Sequence, residues 1–169
     1  MGYTHLTDIA QFIPPSMINK SAGTWAAAFA SNRASESKAA AAETIILTIP
    51  LFVPGSNHGL IGGRVKSVKY WYSVAVADLT SFNTVSVAKS TLTPNVAAVT
   101  GAAVANTITA DNDSSAKRIT QASHTLEVSI DNPAFIKDNE ALFLALSFVS
   151  AAGSIFTHFG AHVYFDLRL

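Results

Sequence analysis

Residues Arg64 to Ala77 alternate well, and a period of two over that length constrains the fold more than any other feature of the chain. Val65, Ser67, Lys69, Trp71, Ser73, Ala75 and Ala77 fall on one face. Lys66, Val68, Tyr70, Tyr72, Val74 and Val76 fall on the other, which is the more apolar and is expected to meet a core. Thr84 to Thr91 and Thr125 to Ile130 repeat the pattern. Thr44 to Ile49 is β-branched and stops at Pro50, and Ile155 to Leu167 closes the chain. Leu142 to Val149 is nearly continuous apolar sequence, which predicts a central strand buried on both faces. Turn formers separate these runs, and no stretch has convincing helical periodicity. The pattern predicts an all-β chain of about eight strands, an antiparallel sandwich or barrel.

The 169 residues suffice for one domain that folds without disulfides or metal. Residues 1–22 read as an extended N-terminal arm and residues 23–169 as the β domain. The arm carries Ile9, Phe12 and Ile13, and Pro14-Pro15 bars a helix after them. Those three apolar side chains are the expected docking contacts of the arm on a partner. Residues 23–43 are Ala-rich and favour helix by propensity. The alternation of Trp25, Ala27 and Phe29 instead predicts two strands around a turn at residues 32–37. Strands are also expected at Val96–Val104 and Thr107–Thr109, followed by a loop at 111–115.

The chemistry expected of the chain is mostly exclusion. There is no Cys, so thiolate ligands, cysteine nucleophiles and disulfides are absent. Eleven basic residues balance eleven acidic ones, which argues against a nucleic-acid partner held by phosphate neutralisation. No unbroken apolar run, Ala141 to Leu146 being among the longest, is long enough for a spanning helix, so no membrane partner is expected; the opening residues lack a secretory pattern. The glycine-dense stretch 55–63 runs into a strand and not a helix, so it is not read as a phosphate loop. His158 and His162 stand four apart, which on a regular strand places them on one face with Cα atoms about 13 Å apart, too far to chelate one ion. A bulge at Gly160 would change that spacing. Asp111 and Asp113 lack the glycine and the terminal acid of a calcium loop. No Gly-x-Ser-x-Gly motif occurs, and no catalytic residue, cofactor or metal is assigned. The chain is read as non-enzymatic.

Two aromatics remain as candidate contacts. Trp71 lies on the more polar face of its strand, and Trp25 is the second; on the surface either would form a platform for a carbohydrate.

The runs Ile13-Pro14-Pro15, Gly23-Thr24-Trp25 and Thr48-Ile49-Pro50-Leu51 precede Gly63-Arg64-Val65-Lys66-Ser67-Val68-Lys69-Tyr70. Asp131-Asn132-Pro133-Ala134-Phe135 and Phe159-Gly160-Ala161-His162-Val163-Tyr164-Phe165 follow. Together they resemble small β-jelly-roll structural proteins of tailed bacteriophages, of the head-decoration, head-fibre or tail-associated kind. That resemblance implies a jelly-roll sandwich, a homotrimer, a place in the virion, and an N-terminal arm anchored on the major capsid or tail protein. Charged residues make up 13% of the chain, which independently suits a subunit that buries surface in an assembly. The alternative reading is a β-sandwich module that binds a carbohydrate or a receptor, with a cell-surface glycan as partner.

Overall fold

The computed structural model describes residues 6–30, 33–53, 62–93, 99–109 and 112–168. Those residues form twelve strands in two antiparallel sheets, a β-sandwich. In chain order they are β1 (Leu6–Ile13), β2 (Asn19–Lys20), β3 (Trp25–Ala30), β4 (Arg33–Lys38), β5 (Glu43–Leu51), β6 (Gly63–Ala75), β7 (Ser81–Leu92), β8 (Val99–Val104), β9 (Asn106–Ile108), β10 (Ser123–Ile130), β11 (Glu140–Ser150) and β12 (Ile155–Arg168). A 3-10 turn spans Pro15–Met17, and a short helix α1 spans Ser115–Ile119. The first sheet runs β3-β4-β12-β6-β10-β9, with β1 also paired to β12; the second runs β2-β5-β11-β7-β8. His58, Asp111 and the glycine-dense stretch up to residue 61 lie outside the described residues.

Alternation builds the core. Val68, Tyr70, Tyr72 and Val74 point inward from β6, opposite Leu142, Leu144, Leu146 and Phe148 of β11. Phe148 stacks on Phe156 with centroids 4.3 Å apart, and Tyr72 stacks on Phe156 at 5.1 Å. Each such ring removes well over 100 Å² from water and supplies a large share of the stability.

Several expectations are corrected. Val65 is buried and Lys66 exposed, the reverse of a strict alternation, because the pairing of β6 with β12 slips between Tyr164 and Phe165. The extra residue of that bulge reverses the facing below it. Val76 is 68% exposed with φ +71, since β6 has ended there. β11 is central between β5 and β7, yet only one of its faces is in the core; Phe143, Ala145, Ser147 and Val149 point outward and are half-buried. A helix occupies Ser115–Ile119, where a loop was expected at its start.

The arm is corrected as well. Residues 6–13 do not stand apart but pair with β12 over eight positions, from Leu6 opposite Arg168 to Ile13 opposite Ala161. Ile13 is 1% exposed within the core, and Ile9 packs against the core's edge. Backbone hydrogen bonds along a whole strand and a buried isoleucine favour this docking over a free tether. Pro14-Pro15 then turns the chain to the second sheet, where β2 pairs with β5.

β12 pairs directly with three strands of the first sheet. One edge pairs with β6 throughout; the other pairs with β4 through Phe156–His158 and with β1 through Ala161–Arg168. The register slips between His158 and Gly160, and Gly160 has φ +103. A Cβ at Gly160 would lie 2.5 Å from the carbonyl oxygen of Ile13 and 2.9 Å from ring atoms of Phe12. Only glycine meets both demands. Gly160→Ala is therefore expected to cost roughly 2–3 kcal/mol, read as a lower urea midpoint with an unchanged slope. Deleting residues 1–13 is expected to lower the same midpoint, whereas a midpoint equal to full length would show that β1 contributes nothing to the fold.

Candidate functional site

The outer face of the seven-stranded sheet carries an aromatic cleft. Its floor is Trp71 on β6 and His162 on β12, whose rings meet edge to face at 5.0 Å. Phe12, the penultimate residue of β1, meets His162 edge to face at 5.3 Å and lies over Gly160. Phe159, beside the bulge, forms a further wall, and the Arg33 guanidinium lies 5.9 Å from its ring centroid. Phe29, 77% exposed, reaches in from the β3–β4 hairpin. Ser123 and Thr125 of β10 supply hydroxyls beside Trp71, Thr125 being its direct neighbour in register. The cleft encloses about 660 Å³, within the range of small-ligand sites.

A second groove of about 350 Å³ lies along the same face, lined by Asp8, Ile9, Lys66, Lys69, Glu127 and Tyr164 among others. Lys69 stands opposite His162 in register, so the two grooves share a row of the sheet. Charges here are paired: Lys69 with Glu127 at 3.3 Å, and Lys66 with Asp8 at 3.0 Å. Asp166, 2% exposed, accepts from Arg64 Nε at 2.9 Å and lies 3.3 Å from Lys66. A hydrogen bond shared with Asp8, then those from Arg64 and Lys66, hold its carboxyl below the usual range against the effect of burial.

The structure brings Phe12 and Trp71 together, with His162 between them. Trp25 lies elsewhere. Half-buried on β3, it covers His158 edge to face at 5.3 Å, and its indole N–H donates to the Ala22 carbonyl at 2.8 Å. Ile9 lines the second groove, and Ile13 is internal. Phe29, Phe159 and His162 were not singled out from sequence as ligand contacts. The signal was the aromatic before a strand glycine at Phe159-Gly160, which marks a bulge able to turn a side chain outward.

That bulge also corrects the facing of the two histidines. His158 points into the core, completely buried, while His162 points into the cleft. Among the described residues no three His, Asp or Glu side chains are grouped as a metal would require. His158 Nε2 lies 3.6 Å from Glu36, which is itself paired to Lys20. Burial, with Lys20 adding to it and Glu36 opposing, depresses the imidazole pKa from 6.5 to about 4. The unfolded chain therefore takes up this proton below pH 6.5 and the folded chain only near 4. Stability from this group is full above 6.5 and declines as pH falls toward 4, by up to about 3 kcal/mol. His158→Leu should flatten the dependence of the urea midpoint on pH across that window.

No family model matches the chain, and no curated protein matches it. Among solved structures it is similar to TmCBM61 in complex with β-1,4-galactotriose, at 10% identity and a TM-score of 0.40, covering 92% of this chain and 86% of that one. It is also similar to a chain from a study of promiscuous specificity in carbohydrate-binding modules of the β-sandwich superfamily. There the identity is 8% and the TM-score 0.37, covering 92% of this chain and 55% of that one.

Proposed function

We propose that this chain is a non-catalytic carbohydrate-binding module whose aromatic cleft takes a neutral oligosaccharide. The observation that carries the reading is the Trp71–His162–Phe12 row, set in a mostly apolar cleft and flanked by Ser123 and Thr125. A pyranose ring has apolar C–H faces and a rim of hydroxyls. It packs its faces on aromatic rings and needs hydrogen-bonding groups at the side, and this cleft offers both. Arg33 adds a donor fork at the rim, steadied over Phe159. The charges of the neighbouring groove are already paired with one another, which favours a neutral ligand over a strongly charged one.

Calorimetric titration with a panel of neutral β-linked oligosaccharides, β-1,4-galactotriose among them, tests this reading. A ligand of micromolar to millimolar affinity is expected, and Trp71→Ala should weaken it at least tenfold, about 1.4 kcal/mol. Ser123→Ala and Thr125→Ala should each weaken it less. Equal binding by Trp71→Ala, or no binding by any panel member, would overturn the proposal.

A homotrimer on a phage capsid or tail is the second reading. What supports it is the low charge of the chain, 13% of residues. Co-sedimentation of the protein with capsids lacking it is the corresponding test.

A further inference from the structure

The second sheet presents its outer face to solvent, and the composition of that face is unusual. Alternation assigns the outward positions. On β5 they run from Thr44 through Ile46 to Pro50, and on β11 from Ala141 through Phe143 and Ala145 to Val149. In register with these, Ser86 of β7 lies beside Ala145, and Ala88 lies between Phe143 and Ala103 of β8. None of the outward positions described on these four strands carries a charge. The opposite sheet is different: Asp8, Lys66, Lys69 and Glu127 all stand on its outer face. The chain has 22 charged residues, so their exclusion from the described outward positions of one face is a property of that face.

From these observations we infer that the outer face of the β2-β5-β11-β7-β8 sheet docks on the same face of a second copy of this chain. The inference is independent of the proposed carbohydrate cleft. The occupant is set by charge, by side-chain size and by area. A two-fold interface sets each patch against itself, so charges near the axis meet their own kind; a face without charge meets itself without repulsion. The side chains are mostly Ala, Ser and Thr with Ile46 and Phe143 between them, small enough for two sheets to approach to about 10 Å, as the two sheets of a sandwich do. The area is also sufficient. Ala141 to Val149 spans about 27 Å along the strand; β5, β11 and β7 at that length, with the six residues of β8 and the two of β2, give a footprint of roughly 500 Å², or about 1,000 Å² over two copies, the lower bound for a specific interface. Ile46, 46% exposed, and Leu92, 57% exposed, are large side chains that such an interface would cover. In this arrangement the two aromatic clefts face away from each other and both remain open.

Sedimentation velocity of the full chain at tens of micromolar is expected to give twice 17.8 kDa. Ala145→Arg, at the centre of the face, should give the monomer mass with an unchanged far-ultraviolet spectrum, and Ser86→Arg should do the same independently. Ser67→Arg, on the outer face of the other sheet, should remain a dimer. A monomeric wild type would overturn the inference. So would a mass of three chains, as the virion reading expects, or a dimer that survives both substitutions. A wild-type monomer that binds insoluble polysaccharide and loses it in Ala145→Arg would also overturn it, by assigning the face to a flat glycan.

Discussion

Everything in the seven-stranded sheet depends on β12 being able to change neighbours along one edge. Its first part pairs with β4 and its later part with β1, while β6 holds the other edge from end to end. The break falls between His158 and Gly160, where the chain takes a left-handed conformation that an L side chain resists. The Ile13 carbonyl and the Phe12 ring close on the hydrogen face of Gly160. One backbone constraint thus docks β1, seats Phe12 beside the cleft, and sends His158 and His162 to opposite faces.

The interior is not uniformly apolar, and two buried cations, Arg118 and Lys38, are satisfied by carbonyls of the chain's own turns. Arg118 is 4% exposed on α1; its Nε donates to the Phe82 carbonyl at 3.1 Å and its Nη1 to the Asn112 carbonyl at 3.2 Å. Its own carbonyl accepts the Tyr72 hydroxyl at 3.0 Å. Lys38, 1% exposed, donates to the Ala39 and Ala41 carbonyls, both at 2.9 Å, and lies 3.5 Å from Glu43. Buried charges need such partners, since an unpaired one would cost several kcal/mol. These two side chains tie the α1 segment and the chain following β4 to the sandwich. The aromatic cleft therefore rests on elements held in place by backbone-directed hydrogen bonds.

The two outer faces divide the surface chemistry of the molecule. One is concave, aromatic and charged along its second groove. The other carries no charge at its described outward positions and is built mostly from Ala, Ser and Thr. A β-sandwich can do this because the residues outside each sheet are free of the core's demands, so composition there can answer to a partner or a ligand.

The secondary-structure type and most of the core are legible from residue order alone. Alternation in β6 from Ser67 onward and in β10 marks Val68, Tyr70, Tyr72, Leu126 and Val128 as inward, because a pleated strand can turn its side chains only to two sides. It also marked Trp71 as outward. It did not decide where bulges fall, since a bulge is a relation between two strands and leaves little trace in either alone. For that reason the facing of Val65, Lys66, His158 and His162 emerged only from the register of β12 against β6. Nor did it decide the fate of residues 6–13, whose apolar side chains suit a tether or an edge strand equally until β12 supplies an unpaired edge. The cleft belongs to that second class: Phe12, Trp71 and His162 are distant in sequence, and only the shared neighbour β12 makes them adjacent.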